Sequence, residues 1–159
     1  MKFTEMYRLA TRKKLTNYVR VIRIRQAKPV PIENEIARVL PVLRGIRDAL
    51  PEVCISVDTR RSEVARKCLE EGAEMVNDVS SLGDEAMLGI VSDFGCPVCL
   101  MHMQGLPENM QDDPRYGDVV TEVRDFFADA TEKMFDSGVE PNQVIVDPGI
   151  GFGKRLEHN

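Results

Sequence analysis

Four short apolar runs in this chain each end on a polar side chain. Val53-Cys54-Ile55-Ser56-Val57 stops on Asp58, Met75-Val76 on Asn77-Asp78, Val98-Cys99-Leu100-Met101 on His102, and Val144-Ile145-Val146 on Asp147. Runs that are apolar with little alternation suit strands buried on both faces of a parallel sheet. In such sheets ligands gather beyond the carboxyl ends of the strands. Repeated Asp, Asn and His at that point therefore predict a site assembled from several strands at once.

The segments between the runs read as helices. Residues 33–50 place Ile36, Val39, Leu40, Leu43, Ile46 and Leu50 on one face, and Pro51 marks the end. A helix over 61–71 closes at Gly72, and one over 84–94 runs from Asp84 as N-cap to Gly95. After a Gly-, Pro-, Asn- and Asp-rich loop at 103–117, residues 118–137 bury Val119, Val123, Phe126, Phe127, Ala130 and Met134. Strands are expected near 53–57, 74–79, 97–102 and 143–147. Alternation of this kind requires parallel pairing with right-handed crossovers. An open doubly wound sheet and a (β/α)8 barrel both satisfy it. The four strands are expected to lie parallel and adjacent in chain order, with Asp58, Asn77 and Asp147 converging at one end.

At 159 residues the chain suits one domain. No apolar stretch approaches the roughly 20 residues that cross a bilayer, and no apolar segment follows the basic N-terminus as in a secretory signal. Four cysteines (54, 68, 96, 99) lack the spacing of a disulfide framework, which predicts a reducing, cytoplasmic setting. Charge divides the chain in two. Residues 1–28 hold nine Lys or Arg against Glu5 alone, whereas the other 131 residues hold 12 basic and 25 acidic side chains. A basic arm of this kind fits nucleic-acid binding, targeting, or sequence foreign to the fold.

Several residues admit a structural and a functional reading. Asp58 can cap the next helix or contact a ligand. Asn77-Asp78 can be turn residues, although an Asn amide both donates to and accepts from a heterocycle edge. His102 is a core histidine or a metal ligand, and the absence of paired ligands at suitable spacing argues against a metal cage. Cys96 and Cys99, three apart on a strand, face opposite ways and suit packing better than shared chemistry. The Gly149/Gly151/Gly153 loop has neither dinucleotide nor Walker spacing, but its glycines permit close backbone approach to a ligand.

Taken in order, Ile55-Ser56-Val57-Asp58-Thr59, Val76-Asn77-Asp78, Pro97-Val98-Cys99-Leu100-Met101-His102-Met103-Gln104-Gly105 and Asp147-Pro148-Gly149-Ile150-Gly151-Phe152-Gly153-Lys154 resemble the motifs of the dihydropteroate synthases. Arg38-Val39-Leu40-Pro41-Val42 resembles that family's segment before its third strand. The likeness runs from about Lys28 to Asn159. It implies an α/β fold, a partial (β/α)8 TIM barrel holding strands three to six of eight, with residues 29–159 as an incomplete pterin-binding domain. It also implies condensation of dihydropterin pyrophosphate with p-aminobenzoate to give dihydropteroate and pyrophosphate. By motif position, Asp58 and Asp147 would bind pterin N–H and amino groups, Asn77 another edge, and Met101 and Val79 the ring face. Phe152 would lie nearer the aminobenzoate. Asp58 would also stabilise the carbon that turns cationic as pyrophosphate leaves.

The motifs of the family's first two strands and of its last two are not found in this sequence. The former supply the magnesium–pyrophosphate contact, so Mg2+ is implied for the family while no metal ligand is expected in this chain. Residues 1–28 are expected to be frame-shifted or foreign sequence, with a transit peptide as the alternative, and to pack poorly. The substrates are small molecules; neither nucleic acid nor membrane is expected as a partner. The family is often homodimeric, and self-association is expected of this chain. It is expected to be catalytically silent; the alternatives are a non-catalytic pterin-binding remnant, an interaction module, or a related pterin-binding methyltransferase domain.

Overall fold

The computed structural model describes residues 30–159; the expectations for residues 1–28 lie outside them. The first helix, α1 (Ile32–Ala49), turns Ile32, Ile36, Val39, Leu40, Leu43 and Ile46 towards the core and runs through Pro41. Glu33 and Glu35 in its first turn and Arg47 in its last complement the helix dipole. The Arg47 guanidinium then donates to the carbonyls of Pro51, Val53 and Gly72, tying the end of α1 to the chain that follows.

Alternating elements complete the fold: β1 (Ser56–Asp58), α2 (Ser62–Glu70), β2 (Met75–Asp78), α3 (Ala86–Phe94), β3 (Val98–Met101), α4 (Val119–Asp136) and β4 (Val144–Asp147). All neighbouring strands pair parallel, in the order β1-β2-β3-β4. Sequential order without reversal leaves no switch point among the four, which separates this sheet from the doubly wound alternative. The strands begin later than expected and are shorter, while Asp58, expected just beyond its strand, is the last residue of the β1 ladder.

Register decides which residues share a face. Asp58 pairs with Asn77, Asn77 with Cys99, Cys99 with Ile145, and Met101 with Asp147. Paired residues point the same way and consecutive ones oppositely. Asp58, Asn77, Cys99, Met101 and Asp147 therefore lie on one face, and Val57, Val76, Asp78, Val98 and Leu100 on the other. The second set, Asp78 apart, packs into one cluster with Val64, Cys68 and Leu69 of α2, Met87, Ile90 and Val91 of α3, and Ala130 and Met134 of α4. The helices thus cover one face and leave the polar set on the opposite one.

Two expectations change in detail. Asp84 is not the N-cap of α3, a position held by Glu85. Its carboxylate instead accepts from Ser62 N at 2.8 Å and Ala86 N at 3.1 Å, so it serves the starts of both α2 and α3. Asp78 parts from Asn77: fully buried on the helix face, it accepts from Ser80 N and Oγ (2.9 and 2.7 Å) and from Leu82 N (2.7 Å). That carboxylate holds the turn in which Ser81 and Leu82 both adopt positive φ, 48° and 68°. Asp78→Ala strips two part-buried amides and a hydroxyl of their acceptor and is expected to cost about 3 kcal/mol, measured by urea unfolding. A loss under about 1 kcal/mol would show that the turn is held by something else.

Candidate functional site

The site lies at the carboxyl ends of the strands, on the face away from the helices. Asp58 and Asn77 stand side by side at the ends of β1 and β2, each part-exposed. Met101, almost wholly buried, pairs with part-exposed Asp147 across β3 and β4. Val79 follows one residue beyond β2, and Phe152 lies part-buried in the loop after β4. Two carboxylates, an amide and an apolar wall so arranged offer acceptors and donors in the plane of a flat heterocycle and packing against its face.

Each carboxylate is set by its neighbours. Thr59, buried directly after Asp58, donates from Oγ1 to Glu35 Oε1 at 2.9 Å and accepts from Arg61 N at 3.2 Å. Arg61 lies 2.9 Å from the other Glu35 oxygen, so α1 reaches across to brace the exit of β1. The Arg61 amide, just before α2, is thus taken up by the Thr59 hydroxyl. At the other end of the site, Asp147 Oδ1 accepts from Gly149 N at 2.8 Å, and His102 N donates to Asp147 O at 2.9 Å.

The glycine-rich loop does make a close approach, though largely to protein. A Cβ on Gly149 would strike the His102 carbonyl, and one on Gly153 would lie 2.6 Å from both Gln104 N and Gln104 O. Around Gly151 a Cβ would meet nothing within 4 Å. The 103–117 loop closes over the same segment: Tyr116 OH donates to Gly153 O at 2.7 Å, while Gln104 Nε2 donates to Arg115 O and its Oε1 accepts from Arg115 N, both at 2.8 Å.

His102 is a buried histidine wedged beside Tyr116, Phe126 and Phe127. Lys154 Nζ lies 2.9 Å from its Nδ1. Burial, and then the Lys154 charge, push the imidazole below its ordinary value; burial also lowers Lys154, with Asp147 opposing. The sequence reading treats Lys154 only as part of a motif, and neither its burial nor its partners show in local pattern. The four cysteines are free thiols, and burial pushes Cys68 up to about 12 and raises Cys96, which leaves them poor nucleophiles.

A family model described as pterin binding enzyme matches residues 24–159. The chain belongs to the pterin-binding enzyme family. Among its relatives is a dihydropteroate synthase of Escherichia coli K12, 43% identical over 133 residues, covering 84% of this chain and 47% of the relative. A dihydropteroate synthase structure from Yersinia pestis, with a sulfonamide drug complex, superposes with a TM-score of 0.80 at 40% identity, covering 84% of this chain and 48% of that one. Another, from Thermus thermophilus in complex with 4-aminobenzoate, gives 0.75 at 44% identity, covering 82% of this chain and 50% of that one. The chain spans about half the length of these relatives. Its four β/α units are part of a TIM barrel, and the pterin-binding family is the one that the sequence motifs resemble.

Two expectations follow for the pterin-binding fold. Gly151→Ala meets only the left-handed strain of φ +78° and is expected to cost about 1–2 kcal/mol. Gly149→Ala or Gly153→Ala adds a backbone collision, and denaturant titration is expected to show a loss at least twice as large.

The depressed imidazole also sets a pH dependence. As pH falls through about 6.5 the unfolded chain binds a proton at His102 that the folded chain resists, so stability declines from there downwards. Urea midpoints between pH 7.5 and 5 are expected to fall less steeply for His102→Asn than for the unaltered protein.

Proposed function

We propose that this chain supplies the pterin-binding portion of a dihydropteroate synthase, the enzyme that joins dihydropterin pyrophosphate to p-aminobenzoate. The observation that carries this is the register that sets Asp58, Asn77, Met101 and Asp147 on one face at the strand ends. Asp58 and Asp147 accept from the ring N–H and amino groups, the Asn77 amide reads a further edge, and Met101 and Val79 pack on the ring face. Phe152, in the loop beyond Asp147, faces the aminobenzoate side. Buried-edge recognition of this kind rejects rings that lack the matching donors, because the carboxylates would then be left unpaired.

The reaction breaks the bond from the pterin's exocyclic carbon to pyrophosphate and forms one to the aminobenzoate nitrogen, which loses a proton. Positive charge builds on that carbon as the leaving group departs, and the Asp58 carboxylate stabilises it. Magnesium, which the family resemblance implies for the pyrophosphate, finds no donor set here: among the described residues no three His, Cys, Asp or Glu side chains group to hold a metal ion. No step is therefore derived through it. Among the described residues no helix is long and apolar enough to cross a membrane, and a cytoplasmic location fits the free thiols.

Fluorescence titration of the purified chain with 6-hydroxymethylpterin tests the site. Asp58→Asn and Asp147→Asn are each expected to weaken binding about tenfold or more, as loss of a charged hydrogen bond does, without lowering the urea midpoint. Equal affinity in both variants and the unaltered chain would refute the assignment.

A further inference from the structure

We infer that Lys154 is a positioning residue for this site: its buried ammonium fastens the loop leaving β3 to the loop leaving β4, and so fixes Asp147 beside Met101. The inference rests on the pterin reading of the site given above.

Lys154 retains only 5% of its surface. A lysine is rarely held so deep, because an ammonium loses its hydration there unless every N–H finds an acceptor. Here three N–H groups meet four acceptors: His102 Nδ1 at 2.9 Å, Phe152 O at 3.1 Å, Gly149 O at 3.2 Å and His102 O at 3.3 Å. All four are neutral groups if the imidazole is neutral. The contact is therefore a geometric clamp and not a neutralising ion pair. It also fixes the tautomer, since an imidazole that accepts at Nδ1 carries its proton on Nε2.

The two loops so joined are those that carry the site. His102 follows Met101 directly, while Gly149 and Phe152 lie in the segment after Asp147. Gly149 is the coupling element. Its carbonyl accepts from Lys154 and its N–H donates to Asp147 Oδ1 at 2.8 Å, so the residue is gripped from both sides. If the ammonium is removed, the Gly149 carbonyl keeps its bond from Phe152 N at 2.9 Å, but the 149–153 turn loses the ammonium's tie to His102. The turn as a whole can then shift against His102, and the Gly149 amide that orients the Asp147 carboxylate shifts with it. Lys154 has its N–H groups taken up by the two loops and acts on Asp147 through Gly149, its charge also bearing on that carboxylate.

Lys154→Met and Lys154→Ala in the full 159-residue chain test this by hydrogen exchange and by 6-hydroxymethylpterin titration, with Asp147→Asn and the Lys154→Met/Asp147→Asn double variant alongside. Exchange is expected to rise together at 102–104 and 149–153 and to stay unchanged in α2. Pterin affinity is expected to fall at least tenfold, with the double variant no weaker than Asp147→Asn alone, because both changes disable one carboxylate. Methylammonium is expected to restore affinity to Lys154→Ala where tetramethylammonium, which has no N–H, does not. If the Met variant fails to fold, the Ala variant refolded with methylammonium carries the same comparison. Unchanged affinity, additive losses in the double variant, or rescue by both cations would overturn the inference. Should the unaltered chain bind no pterin, the functional reading falls. Joint or separate loosening of the two loops would still decide whether Lys154 clamps them.

Discussion

Pleat alternation across an in-order parallel sheet is the constraint on which the rest depends. Each strand has only two faces, and the ladder aligns them from β1 to β4. Helices α2, α3 and α4 claim one face with Val57, Val76, Val98 and Leu100. Whatever recognises a ligand must then come from the alternate positions. This is why Asn77 and Asp78, adjacent and chemically alike, do different work. One stands beside Asp58 on the open face, and the other disappears beneath the turn that follows.

Much of this was legible in the sequence. Apolar runs with polar stops located all four strands and their direction, since such runs need burial on both faces and short crossovers leave parallel pairing as the outcome. Adjacency in chain order was legible too and is what β1-β2-β3-β4 shows, although the apolar pattern by itself suits the doubly wound sheet as well as the barrel. Side-chain partners at long range were hidden. Asp84 looks like a local cap, yet one of its oxygens serves Ser62, 22 residues away. The role of Lys154 depends on His102, 52 positions earlier, and no local periodicity encodes such a distance.

The glycine loop shows how one signal supports two readings. Positive φ and missing side chains allow backbone to come close to something, and sequence alone suggested a ligand. At Gly149 and Gly153 the close neighbour is the chain between His102 and Gln104. Met101 and Asp147, at the ends of β3 and β4, are therefore backed by one joined unit of two loops, braced further by Tyr116 on Gly153. On the opposite side, Glu35, Thr59 and Arg61 perform the equivalent bracing for Asp58.

The turn after β2 carries a further consequence for how such a site can change over evolution. Ser81 and Leu82 hold an unfavourable backbone conformation, and the group that compels it, Asp78, sits wholly on the helix side of the sheet. The shape of the loop is dictated from behind. Residues on the open face can therefore be exchanged one at a time while the path of the backbone stays put. The reverse does not hold: drift at Asp78 would redraw the rim of the sheet without touching a single residue of the open face.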